Sequence, residues 1–534
     1  MPATTPKQAS VSTDVSVAEG LRDPAAYPHH VEQVEVVETH LSRVFLAGAY
    51  AYKVKKPIKL AFVDQRDPHR RRELCEEEAR LNSRLASGIY LGVRGLARRD
   101  GGWRLTETHA PDAEEFAVEM HRFDEAHTLA SRIADGSVTT HDVERIGERI
   151  ASFHHDQAAL PATGTTTAFM QTVHRNLAEL DEFAGTVLPA QQLAQAQRFA
   201  ASFAAGRRNL MEHRASAGLV RDGHGDMRAE HVLLDKRGVE IIDCLEFDPA
   251  MRQTDVGADL AFLAMELEAS GRSDLAEVLL ASYRRLGGDP GPPELFAFFV
   301  AHRAWVRCKV ACVRRHQIAS TDPAAVRLRT AARHLATLAR RAAWRGRGPL
   351  TIVICGGTAS GKTFLADHLA QVSGLTHTNS DVVRKRQWGL EPSQRAPKSA
   401  YSAEANRHVY TELGLQARAG HGTIVDGTFR HLADRQAFAA AYGQDRTPPV
   451  FVECRAAERT VRGRAQARWW SEEPTVSDAD PSLVDRQRAE FAPLDEVAGR
   501  NHLTVRTDRA VRQLGEDITA FLDVRMAEGR TGQR

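Results

Sequence analysis

The chain of 534 residues is short of cysteine, of net charge and of long apolar runs. Its six cysteines include no C-x-x-C pair, which argues against a disulfide framework and fits a reducing compartment. A formal net charge of +2 gives no overall case for binding nucleic acid or an anionic membrane. No apolar run approaches the roughly 20 residues that span a bilayer, and no basic segment followed by an apolar stretch opens the chain. We therefore expect a cytoplasmic protein without membrane attachment.

The length predicts more than one domain, since single hydrophobic cores stop growing at about 250–300 residues. Residues 1–26 are rich in Ala, Ser, Thr and Pro without periodicity, which predicts a disordered tail. A helical pattern over 324–343 is followed by W-R-G-R-G-P, where glycine and proline stop a helix. We therefore predict a first domain over 27–342, a linker over 343–348 and a second domain over 349–534.

The clearest motif is G-G-T-A-S-G-K-T, which matches the phosphate-binding pattern G-x-x-x-x-G-K-[ST] at every fixed position. It follows a β-branched run and precedes a helical pattern, so strand, loop and helix start come in the required order. Backbone N–H groups at a helix N-terminus bind phosphates, the lysine reaches the same oxygens, and the threonine hydroxyl ligates Mg²⁺. We predict that a nucleoside triphosphate and Mg²⁺ are bound by Gly356, Gly357, Thr358, Ala359, Ser360, Gly361, Lys362 and Thr363.

A second motif lies in the first domain, where H-G-D-M-R-A-E-H at 224–231 is followed by I-I-D at 241–243. Two carboxylates near neighbouring strand ends suit phosphoryl transfer. One can accept the proton of an attacking hydroxyl, and the other can hold Mg²⁺ against the phosphates. The alternative is a β-hairpin whose acidic side chains are simply solvated.

This segment resembles the H-G-D-x-x-x-x-N catalytic loop and the following I-D of the aminoglycoside phosphotransferase family, which has a protein-kinase-like fold. The resemblance implies that Asp226 is the catalytic base and Asp243 the metal ligand. The run D-V-G-A-D-L-A at 255–261 is similar to the D-x-x-x-D-L-A that closes this region in the family.

His231 departs from the family pattern, which has a metal-binding Asn at this position. Neutral imidazole is a poor ligand for hard Mg²⁺. Three outcomes stay open: a site that binds metal through Asp243 alone, a preference for Mn²⁺, or lost turnover.

The upstream sequence supplies parts of a nucleotide-binding lobe. Residues 44–56 predict a hairpin that places Lys53 and Lys55 on one strand face. The resemblance to the apolar-x-apolar-Lys strand of kinase-like folds favours Lys53 for the α- and β-phosphates, with Lys55 as the alternative. No G-x-G-x-x-G is present to lie over the phosphates.

Two further segments complete this lobe. A helical pattern over 70–85 places Glu78 close enough to its apolar side to pair with the lysine, although Glu77 could do the same. Residues 119–123 follow an apolar strand and look like the hinge where adenine binds, with Met120 as the contact.

The second domain carries S-D-V-V-R at 380–384, after a strand. This placement resembles P-loop kinases of the shikimate, gluconate, polynucleotide and zeta-toxin type. The resemblance implies that Asp381 deprotonates the acceptor hydroxyl and that Arg384 holds an acceptor phosphate or carboxylate. The alternative is that Ser380 and Asp381 merely cap a helix.

Two more features point to phosphoryl transfer in this domain. Asp426 ends an apolar run, the placement expected for a carboxylate behind Mg²⁺ or for one that orients the acceptor. Arg464 and Arg468 lie four apart in a helical pattern that starts at Glu458, so both project from one face. This R-x-x-x-R resembles the arginine lid that neutralises charge as the γ-phosphoryl leaves, and an exposed basic helix is the alternative.

Residues 30–525 as a whole look like a bacterial fusion of these two domains. The resemblance implies a mixed α/β and α+β chain, with a bilobal protein-kinase-like domain followed by a P-loop nucleoside-kinase-like parallel α/β domain. We expect a bifunctional phosphotransferase that uses ATP and a divalent ion to phosphorylate small-molecule hydroxyl groups. The alternatives are a first domain that senses nucleotide and regulates the second, and a second domain that acts on polynucleotide ends.

Overall fold

The structure is a computed structural model that describes residues 16–60, 63–235, 238–420, 422–470 and 482–529. Its contacts divide the chain into two compact units. The first unit comprises residues 1–169 and 211–291, and the second comprises 170–210 and 292–534. Two helices carry the chain across this division: Thr165–Ala178 and Ala190–Ser216.

The first unit begins with eight strands: β1 Val34–Glu38, β2 Ser42–Ala47, β3 Tyr50–Lys55, β4 Lys59–Leu60, β5 Val63–Asp64, β6 Tyr90–Arg99, β7 Gly102–Glu107 and β8 Glu115–His121. Six of them form an antiparallel sheet in the order β1, β2, β3, β8, β6, β7, while β4 pairs with β5. The β2 to β3 hairpin confirms the predicted one. Gly48 turns it with φ of 61°, a conformation that glycine adopts without a Cβ clash.

Residues 16–26 are ordered, which corrects this part of the tail predicted over 1–26, whereas residues 1–15 lie outside the described residues. Val17 and Leu21 are buried in one apolar cluster with Trp103. The Trp103 indole N–H donates a hydrogen bond of 3.0 Å to Ser16 Oγ. Because this short segment carries no helical periodicity, tertiary burial orders it and local pattern does not reveal it.

The helix Pro68–Asn82 packs against this sheet and corresponds to the helix predicted over 70–85, which it precedes by two residues at its start and three at its end. The Asp67 carboxylate accepts a hydrogen bond of 3.0 Å from the His69 N–H, and proline occupies the first helical position. Leu74 and Leu81 are buried and form the apolar side of this helix, and Glu78 is buried with them.

Among the described residues, the remainder of the first unit contains two short antiparallel strand pairs and five α-helices. The strands are β9 Val220–Asp222, β10 Val232–Asp235, β11 Gly238–Ile241 and β12 Gln253–Asp255. Strand β9 pairs with β12, and β10 pairs with β11. The helices are Leu129–Ala134, Thr140–Asp156, Pro249–Arg252, Val256–Ala269 and Ser273–Arg285. Together with the antiparallel sheet, these elements give the protein-kinase-like fold class that the sequence predicts.

The second unit contains a five-stranded parallel sheet in the order β14, β15, β13, β16, β17. These strands are β13 Thr351–Cys355, β14 Thr376–Asn379, β15 Thr423–Asp426, β16 Val450–Arg455 and β17 His502–Arg506. Alternate residues of central β13 enter different cores, since Ile352 and Ile354 belong to one apolar cluster and Val353 and Cys355 to another. This two-faced burial is typical of the predicted parallel α/β domain.

The helices of the second unit follow the expected pattern, with one correction. The helix predicted over 324–343 runs to Gly346, so the predicted linker over 343–348 is largely its last turn. Trp344 packs in the same core as Ile352, which explains why this turn is held in place. The other helices are Pro293–Gln317, Lys362–Ser373, Ser380–Gln387, Ala403–Ala419, Leu432–Tyr442, Glu458–Trp469, Leu483–Ala489 and Val511–Ala527.

All six cysteines are buried thiols, including Cys308 and Cys312 in the helix Pro293–Gln317. Across the described part of the chain, no helix combines the length and the apolar character needed to cross a membrane.

Candidate active sites

The first candidate site is built where β3 faces the helix Pro68–Asn82. Lys53 Nζ lies 2.8 Å from Glu78 Oε1 and 2.7 Å from Asp243 Oδ1. Desolvation by burial lowers the pKa of Lys53, but the carboxylates of Asp243 and Glu78 raise it more, so the net pKa lies well above its usual range. The lysine is therefore a permanent cation between a buried helix carboxylate and the predicted metal ligand.

Lys55 occupies a different place in the same network. Its Nζ lies 2.6 Å from Glu78 Oε2 and 2.5 Å from Glu246 Oε1, and its side chain is almost fully buried. Glu77, the alternative partner, instead pairs with Arg80 at 2.7 Å. Of the two lysines it is Lys53 that contacts the Asp243 carboxylate, and this geometry favours it for a phosphate contact.

The loop that carries Asp226 is held from behind by Asp259. The backbone N–H groups of His224 and Gly225 donate to the Asp259 carboxylate at 2.7 and 2.8 Å. His224 Nε2–H donates to the Ile242 carbonyl at 3.0 Å, and its Nδ1 accepts from the Asp226 N–H at 3.2 Å. Burial lowers the pKa of His224 to about 4, so a neutral imidazole ties this loop to the strand that leads into Asp243.

Asp226, His231 and Asp243 converge in this first site. One ligand atom from each lies within 4.8 Å of the others. Asp243 adopts φ of 64°, a left-handed conformation that costs a non-glycine residue on the order of 1 kcal/mol or more. Desolvation raises the pKa of Asp243, but the Lys53 ammonium lowers it by more, so the net pKa of this carboxyl lies well below its ordinary range.

The predicted hinge residue Met120 is buried at the end of β8, where it pairs with Ala51 and Tyr90. The adjacent Glu119 accepts hydrogen bonds from the Tyr52 hydroxyl at 3.1 Å and from Arg94 Nε at 2.8 Å. Its role in binding adenine stays a prediction.

The second candidate site is the glycine loop after β13. A Cβ at Gly356 would lie 2.5 Å from the Cys454 carbonyl oxygen, and Gly361 has φ of 89°. Both positions therefore need glycine for the loop to close. Lys362 Nζ donates a hydrogen bond of 2.8 Å to the Gly357 carbonyl, which folds the lysine over its own loop.

Thr363 and Asp426 meet directly at the start of the helix Lys362–Ser373. The Thr363 hydroxyl donates to Asp426 Oδ2 at 2.6 Å, and the Asn379 amide donates to the same oxygen at 2.7 Å. A hydroxyl and a carboxylate are hard oxygen ligands, so this pair fits Mg²⁺. Sequence reasoning missed Asn379, although its position at the end of β14, beside β15, was a usable signal.

Arg384 lines the second site and is held there by several contacts. Its guanidinium donates to the Ala400 carbonyl at 2.7 Å and to Asn406 Oδ1 at 2.9 Å, and it lies over the Tyr401 ring. Arg384 Nε lies 3.6 Å from Asp381 Oδ1. Asn379 is the N-cap of the helix Ser380–Gln387, because its Oδ1 accepts a hydrogen bond of 2.8 Å from the Asp381 N–H. The alternative that Ser380 and Asp381 merely cap this helix is therefore wrong.

Arg464 contacts the structure that supports the glycine loop. Its guanidinium donates to the Thr507 hydroxyl at 3.0 Å and to the Thr507 carbonyl at 2.7 Å. The Thr507 hydroxyl in turn donates to the Ser360 carbonyl at 2.6 Å. The side chain of Arg468, its predicted partner, lies outside the described residues.

A cavity of about 970 Å³ joins these groups in the second unit. It is large enough for a nucleotide together with a small acceptor. Its lining carries the acidic residues Asp381, Asp426, Asp434 and Glu490 and the basic residues Lys362, Arg384, Arg395, Lys398, Arg430, Arg464 and Arg486.

A mycobacterial protein matches most of the chain. The uncharacterized protein Rv2004c of Mycobacterium tuberculosis is 32% identical over 468 residues, which cover 85% of this chain and 90% of that protein. The chain belongs to the same protein family. In the present chain, residues 351–494 match the family model of an AAA domain.

Solved structures resemble each part separately. A gluconokinase from Sinorhizobium meliloti 1021 covers 34% of this chain and 95% of its own, with 17% identity and a TM-score of 0.26. The complex of APH(2")-IIia with GDP and kanamycin covers 61% of this chain and 97% of its own, with 12% identity and a TM-score of 0.37. The antiparallel six-stranded sheet of the first unit and the parallel five-stranded sheet of the second unit distinguish the two parts. The predicted fusion of a kinase-like part with a P-loop part is confirmed.

Proposed function

We propose that this protein is a bifunctional ATP-dependent phosphotransferase, in which each unit transfers the γ-phosphoryl group of ATP to a hydroxyl group of a small molecule. The observation that carries the proposal is the convergence in the second unit of Lys362, the Thr363 and Asp426 pair, and Asp381 with Arg384 around one cavity. These are the positioning and charge-neutralising parts that phosphoryl transfer requires.

In the second unit, the loop N–H groups and Lys362 would hold the β- and γ-phosphates. Asp381 would accept the proton of the acceptor hydroxyl, whose oxygen forms a bond to the γ-phosphorus while the bond from that phosphorus to the leaving ADP oxygen breaks. Arg384 would orient an anionic group of the acceptor. A divalent cation at Thr363 and Asp426, when bound, neutralises charge on the phosphates.

In the first unit, we assign Lys53 to the α- and β-phosphates and Met120 to the adenine pocket. Asp226 would take the proton of the acceptor hydroxyl, and Asp243 would hold the divalent cation. The contacts of Lys53 with Glu78 and Asp243 support this assignment, because protein kinases require the same lysine, glutamate and aspartate in place.

The second candidate function makes the first unit a nucleotide-binding sensor that controls the P-loop unit. The observation in its favour is His231 at the position of a metal-binding Asn in the family pattern. The presence of both Asp226 and Asp243 in one cluster with it speaks for turnover instead.

A phosphate-transfer screen of the full chain tests the proposal. Labelled ATP would be incubated with sugars, aminoglycosides, nucleosides and oligonucleotide ends, using wild type, Asp226→Asn and Asp381→Asn. We expect two classes of labelled product, each lost in one variant, while the exposed control Asp517→Asn keeps both.

Each outcome of this screen has a distinct meaning. A single product class that depends only on Asp381 would favour the sensor function for the first unit. Label on oligonucleotide ends would assign a polynucleotide acceptor to the second unit. No labelled product, or products that persist in both variants, would contradict the proposal.

A further inference from the structure

The orientation of His231 is set by the backbone. Its Nδ1 lies 2.9 Å from the carbonyl oxygen of Asp226, five residues earlier in the loop. A carbonyl oxygen only accepts hydrogen bonds, so Nδ1 carries the proton of the neutral imidazole. Nε2 is therefore the atom with the free lone pair.

That lone pair faces carboxylates. Nε2 lies 3.6 Å from Asp243 Oδ2 and 3.8 Å from Glu230 Oε1, which are both longer than a hydrogen bond, and the His231 side chain is 9% exposed. Among the described residues, no hydrogen bond to Nε2 is formed. An acceptor lone pair that faces carboxylate oxygens is unfavourable unless a cation lies between them.

The Asp243 carboxylate divides its two oxygens between two partners. Oδ1 contacts Lys53 Nζ at 2.7 Å, while Oδ2 is the oxygen nearest to His231 Nε2. Asp226 Oδ2 lies 3.7 Å from His231 Nδ1, on the side of the ring away from Nε2. His231 Nε2 and Asp243 Oδ2 therefore face the same small volume, and an imidazole nitrogen beside a carboxylate is a better donor set for a first-row transition ion than for Mg²⁺.

We infer that His231 Nε2, with the Asp243 carboxylate, forms a site in the first unit that selects a divalent transition-metal ion such as Mn²⁺ over Mg²⁺. This inference rests on the proposed function in that the same site would serve phosphoryl transfer. The backbone carbonyl of Asp226 acts as the outer hydrogen-bond partner that fixes the tautomer of a ligating histidine.

The test is electron spin-echo spectroscopy of Mn²⁺ bound to the full-length protein, with and without ADP, because a directly coordinated imidazole modulates the echo at ¹⁴N frequencies. The second unit contains a matched control, since His377 Nε2 lies 3.9 Å from Asp426 Oδ2. We expect the ¹⁴N modulation in wild type and in His377→Asn, and its loss in His231→Asn. Mn²⁺ affinity should fall at least tenfold in His231→Asn, while Mg²⁺ affinity should stay equal or rise.

Several results would overturn the inference. Wild type without ¹⁴N modulation, or modulation that persists in His231→Asn and disappears in His377→Asn, excludes His231 as a ligand. Lower turnover in His231→Asn with an unchanged preference between Mg²⁺ and Mn²⁺ would also exclude it. If His231→Asn fails to fold, His231→Ser takes its place, with the same expected loss of the ¹⁴N modulation.

The spectroscopic result does not depend on turnover. A ¹⁴N signal without any phosphate transfer would contradict the proposed function and leave the metal site standing. Phosphate transfer by the first unit at equal rates with Mg²⁺ and Mn²⁺, without a ¹⁴N signal, would support the proposed function and contradict the metal-site inference.

Discussion

The Thr363 hydroxyl donates a hydrogen bond of 2.6 Å to Asp426 Oδ2, across the parallel pairing of β13 and β15. These residues are 63 positions apart, and the sequence predicts each of them separately as part of a Mg²⁺ site. The pairing of Ile354 with Asp426 in the strand register brings them together. Because the carboxyl ends of parallel strands share one edge of the sheet, the glycine loop and the carboxylate must face the same phosphate site.

Asp226→Asn and Asp243→Asn should impair the first unit in different ways. Asp226→Asn should lower phosphate transfer by about 10²-fold or more and leave ATP binding intact, because a general base acts on the reacting proton. Asp243→Asn should also weaken metal-dependent ATP binding, because its carboxylate holds the cation in the ground state. Calorimetry with and without Mg²⁺ and Mn²⁺ separates the two, and equal loss of binding in both variants would refute this division of roles.

Arg464→Ala should lower transfer by the second unit by about 10²-fold, because it removes a cation beside the glycine loop and frees Thr507. Arg462→Ala is the matched control on the same helix, since Arg462 is exposed and pairs with Glu458 at 2.8 Å. The turnover number measured for each variant at saturating ATP checks this. Equal effects of the two substitutions would show that Arg464 belongs to an ordinary basic surface.

Arg347→Ala should destabilise the second unit by about 3–5 kcal/mol. Arg347 and Asp523 form an ion pair of 2.8 Å in which both side chains are 3% exposed, so the substitution leaves Asp523 buried without this partner. Arg509→Ala breaks the exposed pair with Asp517 and should cost about 1 kcal/mol or less. Urea unfolding of the full chain compares them, and similar midpoints for both variants would contradict the burial argument.

The free energy of unfolding should fall as the pH is lowered from about 6.5 towards 3, and His302 should contribute to this fall. Burial lowers the pKa of His302 to about 3, with a further decrease from Arg303 and Lys309. In an unfolded chain histidine has a pKa of about 6.5, so the unfolded state binds more protons in this window and gains stability relative to the native state as pH falls.

His302→Phe should therefore weaken the dependence of the melting temperature on pH between about 6.5 and 4. His141→Gln serves as the control, because His141 is 78% exposed. Thermal unfolding across this pH range makes the comparison. A slope in His302→Phe that equals that of wild type would show that His302 does not contribute to the acid sensitivity.

Local pattern predicted much of both sites. The glycine loop between β13 and its helix, the β2 to β3 hairpin and the buried Glu78 follow from strand alternation, helical spacing and turn residues. The contacts that pattern did not reveal are those made by tertiary packing. Asn379 reaches Asp426 only through the sheet register, and Glu246 reaches Lys55 from a distant segment.

The errors at the predicted domain edges have the same origin. Val17 and Trp344 lie in segments whose composition or glycine content predicts a tail and a linker, yet both side chains are buried in apolar cores. Burial against residues far away in sequence outweighs local propensity at such positions.

The most direct test of two independent active sites is phosphate transfer from labelled ATP by four full-length proteins: wild type, Asp226→Asn, Lys362→Ala and the double variant. Each single variant should keep the activity of the other unit, and the double variant should lose transfer altogether. Lys362→Ala should also reduce the number of ATP molecules bound per chain from two to one. Loss of all transfer in one single variant, or transfer by the double variant at the wild-type rate, would contradict the account.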